Sequence, residues 1–350
     1  MSWFVSLLVL SALIFFHELG HYLAARAVGV YVEVFSIGFG KKLLKFRKFD
    51  TEWSISAIPL GGYVKMKGQD DSDPTKISLD PDSYNVKTPM QRIFILLAGP
   101  LANFILAFFL YFAIGLGGPS VLSPVVGKVV ENSPADIAGL QTNDIIKAIN
   151  SVEVSTWEEM ADIIAESKGA LNLEIQRGNY IQFLTLSPEL KETKNMYNET
   201  IQRKMIGIGA AGVSHALDLD LVDSLAYATN QTVFASTVIF TGLQKLVSGD
   251  VPAKELGGVI SIVKITSDAT DAGWMSVLFF AALISVNLGV LNLLPIPALD
   301  GGHIMFNLYE FIVRRAPSQE VIIKLTIAGW VLLFSLMGLG IYNDINRLIG

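Results

Sequence analysis

Residues 2–21 read SWFVSLLVLSALIFFHELGH, an apolar run that ends in two histidines and a glutamate. Ser2 to Phe16 carries no charge, as expected for a helix that enters a bilayer. His17 and His21 are four residues apart, so both imidazoles lie on one helix face and can share a zinc ion. Glu18 is then placed to take a proton from water at the metal. The pattern predicts a hydrolytic metal centre inside a membrane.

The alternative is that this motif occurs by chance, as polar residues facing the interior of a helix bundle. Burying two histidines and a glutamate in an apolar span costs on the order of several kcal/mol without compensation, which favours the functional interpretation. The motif is nevertheless incomplete by itself. Zinc in a catalytic site takes a third protein ligand and keeps one open position.

The composition is that of a membrane protein. Of 350 residues, 51% are hydrophobic and 17% charged, and the mean hydropathy is +0.49, whereas soluble domains carry about 25% charged residues. A net charge of -6 argues against a nucleic-acid partner. The absence of cysteine excludes disulfides and thiolate ligands, so a metal must use Asp, Glu, water or the four histidines, which are His17, His21, His215 and His303.

Four membrane spans are predicted from charge-free stretches. The first enters the histidine motif, and the others are Ile93 to Leu116, Trp274 to Leu299, and Leu325 to Tyr342. A further uncharged stretch, Ser224 to Gln244, is polar enough to be an amphipathic helix at the membrane surface.

The basic residues predict the orientation of these spans. Lys and Arg are concentrated between the first two spans, and Arg314 and Arg315 lie between the last two. Both segments therefore belong in the cytoplasm, which places the N-terminus and residues 117–273 outside. The beginning of the chain has no basic region and no small-residue cleavage site, so we do not expect a removable signal peptide.

Asp300 is the candidate third ligand. It follows a stretch in which Pro295 and Pro297 exclude a regular helix, and two glycines come after it. Irregular backbone at membrane depth is tolerated where it lines a cavity or packs against protein. On these grounds alone, Asp300 could equally cap the next helix, and His303 is a rival ligand.

Nearly the whole chain resembles the site-2 protease family of intramembrane zinc metalloproteases, and most closely its bacterial RseP-type branch. The resemblance rests on three segments: the histidine motif, Ala98-Gly99-Pro100-Leu101-Ala102-Asn103, and Asn292-Leu293-Leu294-Pro295-Ile296-Pro297-Ala298-Leu299-Asp300-Gly301. It implies one zinc ion per chain, bound by His17, His21 and Asp300, with Glu18 as the general base. It also implies that Asn292 helps to hold the substrate, with Asn287 a second candidate. We count Pro295 and Pro297 as further substrate-binding candidates, which could also help to position the site.

The segment after the first span predicts β-structure. Residues 35–40 and 53–66 combine apolar alternation with glycines, which is typical of strands and tight turns. In the family this region is a membrane-re-entrant β-hairpin, so Gly61 and Gly62 become candidate substrate-binding residues. An edge strand could pair with an unwound substrate and satisfy its backbone groups. The alternative is a cytoplasmic β-meander with a purely structural role.

The region outside the membrane predicts one PDZ-like domain. Four strands, at residues 125–130, 145–149, 171–176 and 181–186, surround a helix at 156–167. The phrase Ser133-Pro134-Ala135-Asp136-Ile137-Ala138-Gly139-Leu140 looks like part of a PDZ fold, which takes extended peptides along a sheet edge. The RseP-type branch often has two such domains in tandem, whereas this sequence shows one. A spacer without ligand is the alternative.

The predicted fold is therefore a polytopic α-helical membrane protein with four spans, a membrane-associated β-hairpin region and one extracytoplasmic PDZ-like α+β domain. Its predicted segments are 1–116 (two spans and the hairpin), 117–194 (PDZ-like), 195–273 (amphipathic or linker) and 274–350 (two spans with the third ligand).

The predicted function is that of a zinc metalloendopeptidase of the bacterial inner membrane, with its active site near the cytoplasmic side. Its substrates would be single-span membrane proteins, such as anti-sigma factors or remnant signal peptides, whose tails reach the PDZ-like domain. Such cleavage is regulated intramembrane proteolysis. The rivals are a zinc-dependent receptor, which would not need Glu18, and a transporter with a broken helix, for which no inverted repeat is visible.

Overall fold

A computed structural model of the protein describes residues 2–69 and 78–349. The chain forms two compact units, one from residues 1–115 and 221–350 and the other from residues 116–220. Residues 70–77 fall within the first predicted segment and lie outside the described residues.

Helices and strands follow one another in a mixed order. The helices are α1 (Ser2–Ala27), α2 (Pro89–Leu116), α3 (Pro134–Ile137), α4 (Trp157–Glu166), α5 (Leu221–Ser248), α6 (Val259–Ala272), α7 (Trp274–Asn292), α8 (Asp300–Val313) and α9 (Gln319–Ile349). The strands are β1 (Val32–Lys48), β2 (Thr51–Met66), β3 (Ser120–Leu122), β4 (Val126–Val129), β5 (Ile145–Ile149), β6 (Val152–Glu153), β7 (Leu171–Arg177), β8 (Tyr180–Leu186), β9 (Glu189–Lys194), β10 (Thr200–Met205), β11 (Ile208–Ala210) and β12 (Ser214–Ala216).

Four of the described helices are long and apolar enough to cross a membrane, namely α1, α2, α7 and α9. This confirms the number of spans predicted from the sequence. Helix α7 ends at Asn292, before Pro295, because a proline cannot continue the backbone ladder. Helix α5 covers the stretch predicted to be amphipathic.

Helices α2, α5 and α7 pack around a shared apolar core. Small residues allow the close approach, with Ala107 of α2, Ala228 of α5 and Ala282 of α7 all fully buried. Ser285 of α7 donates a hydrogen bond to the carbonyl oxygen of Asn103 in α2, at 2.8 Å. This bond fixes α7 against the part of α2 that faces the histidine motif.

Strands β1 and β2 form a hairpin that is folded on itself into four arms. Val34 lies opposite Lys65 on one side and Glu52 on the other, so the arms are ordered 61–66, 32–39, 51–58 and 41–48. The first arm of β1 bends at Gly38, whose φ is +88° and whose Cβ, if present, would lie 2.8 Å from the Ile58 carbonyl oxygen. Only glycine fits that bend.

The second unit has a four-stranded antiparallel sheet in the order β6-β5-β7-β8, packed against α4. Helix α4 begins with a capping box, in which Thr156 and Glu159 satisfy each other's backbone N–H groups. Strands β5, β7 and β8 and helix α4 lie where the sequence predicted them, as does β4, which pairs outside this sheet. Strand β6 was not predicted.

The second unit extends to Asp220, beyond the boundary predicted at residue 194. Strand β11 pairs with β4, strand β12 pairs with β3, and β9 and β10 form a hairpin. Backbone pairing of late strands with early strands carries no side-chain signal in a single sequence. The segment predicted at residues 195–273 is thus divided between the two units.

The C-terminal end of α9 holds the beginning of α6. The Asp344 carboxylate is buried and accepts hydrogen bonds from the backbone N–H groups of Gly258 and Ser261, both at 3.0 Å, and from the Ser261 hydroxyl. A carboxylate at a helix N-terminus satisfies donors that the helix leaves open.

We expect Asp344→Ala to lower the free energy of unfolding by about 2–4 kcal/mol, because buried donors lose a charged acceptor. Unfolding of the purified protein in detergent, followed by tryptophan fluorescence, measures this change. Ser335→Ala is the matched control, since the exposed Ser335 hydroxyl bonds only to its own helix. Equal stability of the two variants would contradict this role for Asp344.

Candidate metal centre

Three potential ligand atoms converge between α1 and α8. His17 Nε2 lies 3.3 Å from His21 Nε2 and 3.3 Å from Asp300 Oδ2, and His21 Nε2 lies 3.4 Å from the same oxygen. Donor atoms about 2.0–2.1 Å from a tetrahedral zinc ion stand roughly 3.3–3.4 Å apart. The triangle therefore has the size that zinc requires, and its fourth corner remains available.

The hydrogen bond of His21 leaves the right nitrogen for a metal. Its Nδ1 lies 2.8 Å from the Ile95 carbonyl oxygen of α2, which can only accept, so Nδ1 carries the proton. The lone pair is then on Nε2, which faces Asp300. This is the outer-shell arrangement that fixes the tautomer and orientation of metal-binding histidines.

His17 has a comparable partner in Asn103, which is fully buried on α2. His17 Nδ1 lies 3.1 Å from the Asn103 side-chain nitrogen, while Asn103 Oδ1 is buried without a hydrogen-bond partner. The two ends of an amide have nearly the same shape, and a half-turn lets Oδ1 accept the proton of Nδ1. His17 Nε2 then also offers a lone pair, and the residues fit zinc.

Asp300 reaches the histidines because α8 begins beside them. It is the first residue of α8, where the helix dipole favours a carboxylate. A Cβ on Gly301 would lie 2.2 Å from the Leu294 carbonyl oxygen, and one on Gly302 would lie 2.3 Å from that of Ile296. The two glycines thus let the turn after α7 fold tightly over the beginning of α8.

Two further glycines bring α1 and α2 together at the site. A Cβ on Gly20 would lie 2.2 Å from the Ala98 carbonyl oxygen, and one on Gly99 would lie 2.2 Å from His21 Nε2. The His21 imidazole therefore occupies the space that a side chain at residue 99 would fill. Gly99 makes room for the ligand itself.

A cavity of about 160 Å³ opens onto the three ligand atoms. Of the candidate site residues, His17, Glu18, His21, Asp300, Asn292 and Gly62 line it. Gly62 allows this, since a Cβ there would lie 3.0 Å from Glu18 Cγ. His303, the rival ligand of the sequence analysis, also lines the cavity but is not part of the ligand triangle. The other lining residues, which sequence reasoning did not select as contacts, are Tyr63, Val64, Met66, Gln69, Leu96, Ala298 and Leu299.

The remaining candidates lie away from this cavity in the described structure. Asn287 is earlier on α7, Pro295 and Pro297 belong to the turn before α8, and Gly61 is at the bend of β2. Pro297 packs within the turn, where its Cα would lie 2.4 Å from a Cβ on Gly302. Substrate contact by these four residues stays a prediction.

An ion pair ties the other end of α8 to α2. Arg92 Nη2 donates to Glu310 Oε1 at 2.6 Å, and both side chains are largely buried. Glu310 is ten residues beyond Asp300, which corresponds to about 15 Å along the helix. Helix α8 is thus held at its beginning by the histidines and near its end by Arg92.

Comparison of the amino-acid sequence with known proteins identifies the family of this chain. The family model for peptidase family M50 matches residues 5–336. A Campylobacter jejuni protein provisionally named a zinc metalloprotease is 47% identical over 99% of this chain and 93% of its own length. A similarly named Helicobacter pylori protein is 40% identical over 99% of both chains, and the zinc metalloprotease RasP of Shouchella clausii is 30% identical over 97% of both.

We expect Gly99→Ala to weaken zinc binding about 10- to 100-fold, because the added methyl group displaces the His21 ring. Competition with a chromophoric chelator in detergent measures the affinity. Gly338→Ala on α9 is the control, since a Cβ there would meet nothing within 4 Å. Unchanged affinity in Gly99→Ala would show that His21 is not a ligand.

Charge reversal tests the Arg92–Glu310 pair. Arg92→Glu and Glu310→Arg should each weaken zinc binding roughly fivefold or more, because each leaves two like charges together at a partly buried site. The double exchange restores the pair and should recover most of the loss. Losses that simply add in the double variant would mean that the pair does not position Asp300.

Proposed function

The chain belongs to peptidase family M50, and we propose that it is an intramembrane zinc metalloprotease that cuts single-span membrane proteins in or near their spans. One observation carries this proposal. His17, His21 and Asp300 form a triangle that fits zinc, and the carboxylate-bearing Glu18 lines the same cavity, on a helix long and apolar enough to span a membrane.

Zinc, when bound, supplies a Lewis acid that polarises the scissile carbonyl group and acidifies water. Glu18 is adjacent to a ligand and faces the open side of the triangle. Its carboxylate accepts the proton of the attacking water and then donates it to the leaving amine. Two imidazoles and one carboxylate leave a zinc site with a net positive charge, which favours the developing oxyanion.

The substrate would enter as an extended strand beside arm 61–66 of the hairpin. Gly62, Tyr63 and Val64 line the cavity, and this arm is an outer edge among the described strands. A peptide paired there satisfies its backbone groups without water and leaves one bond exposed to attack. Asn292 lies across the same cavity, where its amide can hydrogen-bond the substrate backbone.

We infer a PDZ-like role for the second unit. Helix α4 and the β9–β10 hairpin border a cavity of about 390 Å³, which is lined by Trp157, Met160 and Ile164 of the helix, by Lys194, Arg203 and Lys204 of the hairpin, and by Ile206 to Ile208. A groove between a helix and strands that carries both apolar and basic side chains suits the tail of a peptide or a substrate. In this proposal the unit lies outside the cytoplasm and selects substrates whose outer portion is short enough to reach it.

The proposed location is the bacterial inner membrane, with the metal centre near the cytoplasmic side. The basic residues after α1 and between α8 and α9 support this orientation. His21 is six residues, or about 9 Å, before the end of α1, so water from that side has a short path.

We expect Glu18→Gln to reduce cleavage of a tagged single-span test protein by about 10²–10⁴-fold, because the base is lost. The change keeps the shape of the side chain, so zinc affinity should stay within about threefold. Gel analysis of the purified protein in detergent measures cleavage, and chelator competition measures zinc. Equal cleavage by both proteins across several substrates would overturn the assignment of Glu18.

A further inference from the structure

The four-armed sheet runs alongside α1 and therefore spans a range of membrane depths. At one end, Val30 and Val32 pack close to the C-terminal end of α1, together with Tyr22 and Ala25. At the other end, a Cβ on Gly62 would lie 2.8 Å from Ile14 Cγ2. Ile14 is 13 residues before Ala27, or about 20 Å along the helix, which is close to one leaflet with its headgroups.

Exposed side chains change character along this range. The deep end carries Phe39, Leu43, Leu44 and Ile58, which are 44%, 62%, 65% and 51% exposed. It also carries the exposed Lys41, whose long aliphatic stem can lie along apolar surface while its charge points to the headgroups. These apolar groups match the acyl chains of a leaflet rather than water.

The shallow end of arm 41–48 carries cations and aromatic rings instead. Thr51 Oγ1 donates to the Val32 carbonyl oxygen, which places the tip of this arm near the end of α1. Lys45, Arg47 and Lys48 are exposed there, beside Phe46 and Phe49 at 61% and 64% exposure. Interfacial segments of membrane proteins show this combination of cations and amphipathic or aromatic groups.

The three cations make no ion pair within the described chain. The Arg47 guanidinium donates to the Tyr31 hydroxyl, and the Lys48 ammonium lies 5.2 Å from the Phe49 ring centroid. By contrast, the ammonium group of Lys42, whose backbone lies deeper in the membrane, forms an ion pair with the Glu52 carboxylate nearer the tip. Of the two acidic groups near this tip, Glu52 is paired with Lys42, and Asp50 forms no ion pair with the three cations among the described residues. In this described part of the chain, the tip therefore carries three cations against one unpaired carboxylate and is open to an outside anion.

Lysine on an unpaired edge strand often serves only to prevent aggregation. That explanation does not account for Leu43, Leu44, Phe46 and Phe49, since large exposed apolar groups on an edge promote association. Large apolar side chains predominate at the deep end of this edge and three cations lie towards its tip, which is complementary to a phospholipid with its acyl chains below and its phosphate above.

We propose that the outer edge of arm 41–48 binds anionic phospholipid of the cytoplasmic leaflet. Lys45, Arg47 and Lys48 bind the headgroup, Leu43 and Leu44 contact the acyl chains, and Phe46 lies at the boundary between the two. The sheet's opposite edge, arm 61–66, lines the metal site, so lipid binding at one edge fixes the depth of the other. The proposal goes beyond proteolysis and does not depend on it.

The absence of cysteine allows a direct test. Ile58→Cys, on the neighbouring arm and outside the proposed contacts, carries a single fluorescent donor in vesicles of phosphatidylcholine. The acceptor is an acyl-labelled phosphatidylglycerol or phosphatidylcholine at trace level. We expect at least about fivefold local enrichment of phosphatidylglycerol, since one surface cation is worth about that factor. Equal energy transfer to both lipids would overturn the proposal.

Matched variants identify the groups responsible. Changing Lys45, Arg47 and Lys48 to Gln should abolish the enrichment, whereas exchanging Lys and Arg at these three positions should preserve it. Lys128, Lys147 and Lys168 in the second unit, changed to Gln, remove the same charge and should have no effect. Zinc affinity of each protein reports that the first unit is intact, and enrichment that survives the first triple change overturns the assignment.

A final experiment distinguishes binding of a lipid headgroup from binding of free phosphate. Inorganic phosphate and sodium chloride at the same ionic strength should reduce the enrichment equally, because both only screen charge. Stronger displacement by phosphate would mean that the cations take a free anion, and it would overturn the lipid assignment.

Discussion

The close approach of α1 and α2 is the contact on which the metal centre depends. Burying two imidazoles and a carboxylate in an apolar environment is unfavourable unless each has a partner. Gly20 and Gly99 bring the helices near enough for α2 to provide two partners, the Ile95 carbonyl oxygen and the Asn103 amide. Both histidines are thereby held with Nε2 towards the same point.

The third candidate ligand, Asp300, comes from an element with different constraints. Asp300 cannot lie on a regular continuation of α7, because Pro295 and Pro297 end that helix. The turn instead folds over Gly301 and Gly302, so a new helix begins at the carboxylate. Within eight residues, the prolines end one helix and the glycines allow the tight turn, and together they direct the Asp300 side chain towards the histidines.

The residues of the candidate metal centre could be predicted from the sequence, whereas most of the groups that hold them in place could not. His17, Glu18, His21 and Asp300 carry a ligand pattern and a charge in an apolar setting, and both are visible in a single sequence. The Ile95 carbonyl is backbone, so no residue type marks it. Arg92 and Glu310 are 218 residues apart and pair only through the fold. The four-armed sheet was likewise predictable only as strands and turns, because its arm order depends on the bends at Gly38 and Gly61.

In the proposed function, the outer edge formed by arm 61–66 of that sheet is subject to two opposing requirements. Arm 61–66 must leave its backbone groups open beside the site, since a substrate can pair only with an unoccupied edge. An open edge is also a hazard, because any extended chain can add to it. Depth in the membrane resolves this conflict: only a segment that enters the leaflet reaches Gly62, which lies beside Ile14 of α1. In the proposed function, the protease would select substrates by whether they unwind at that depth, so the position of the sheet in the leaflet would be part of its specificity.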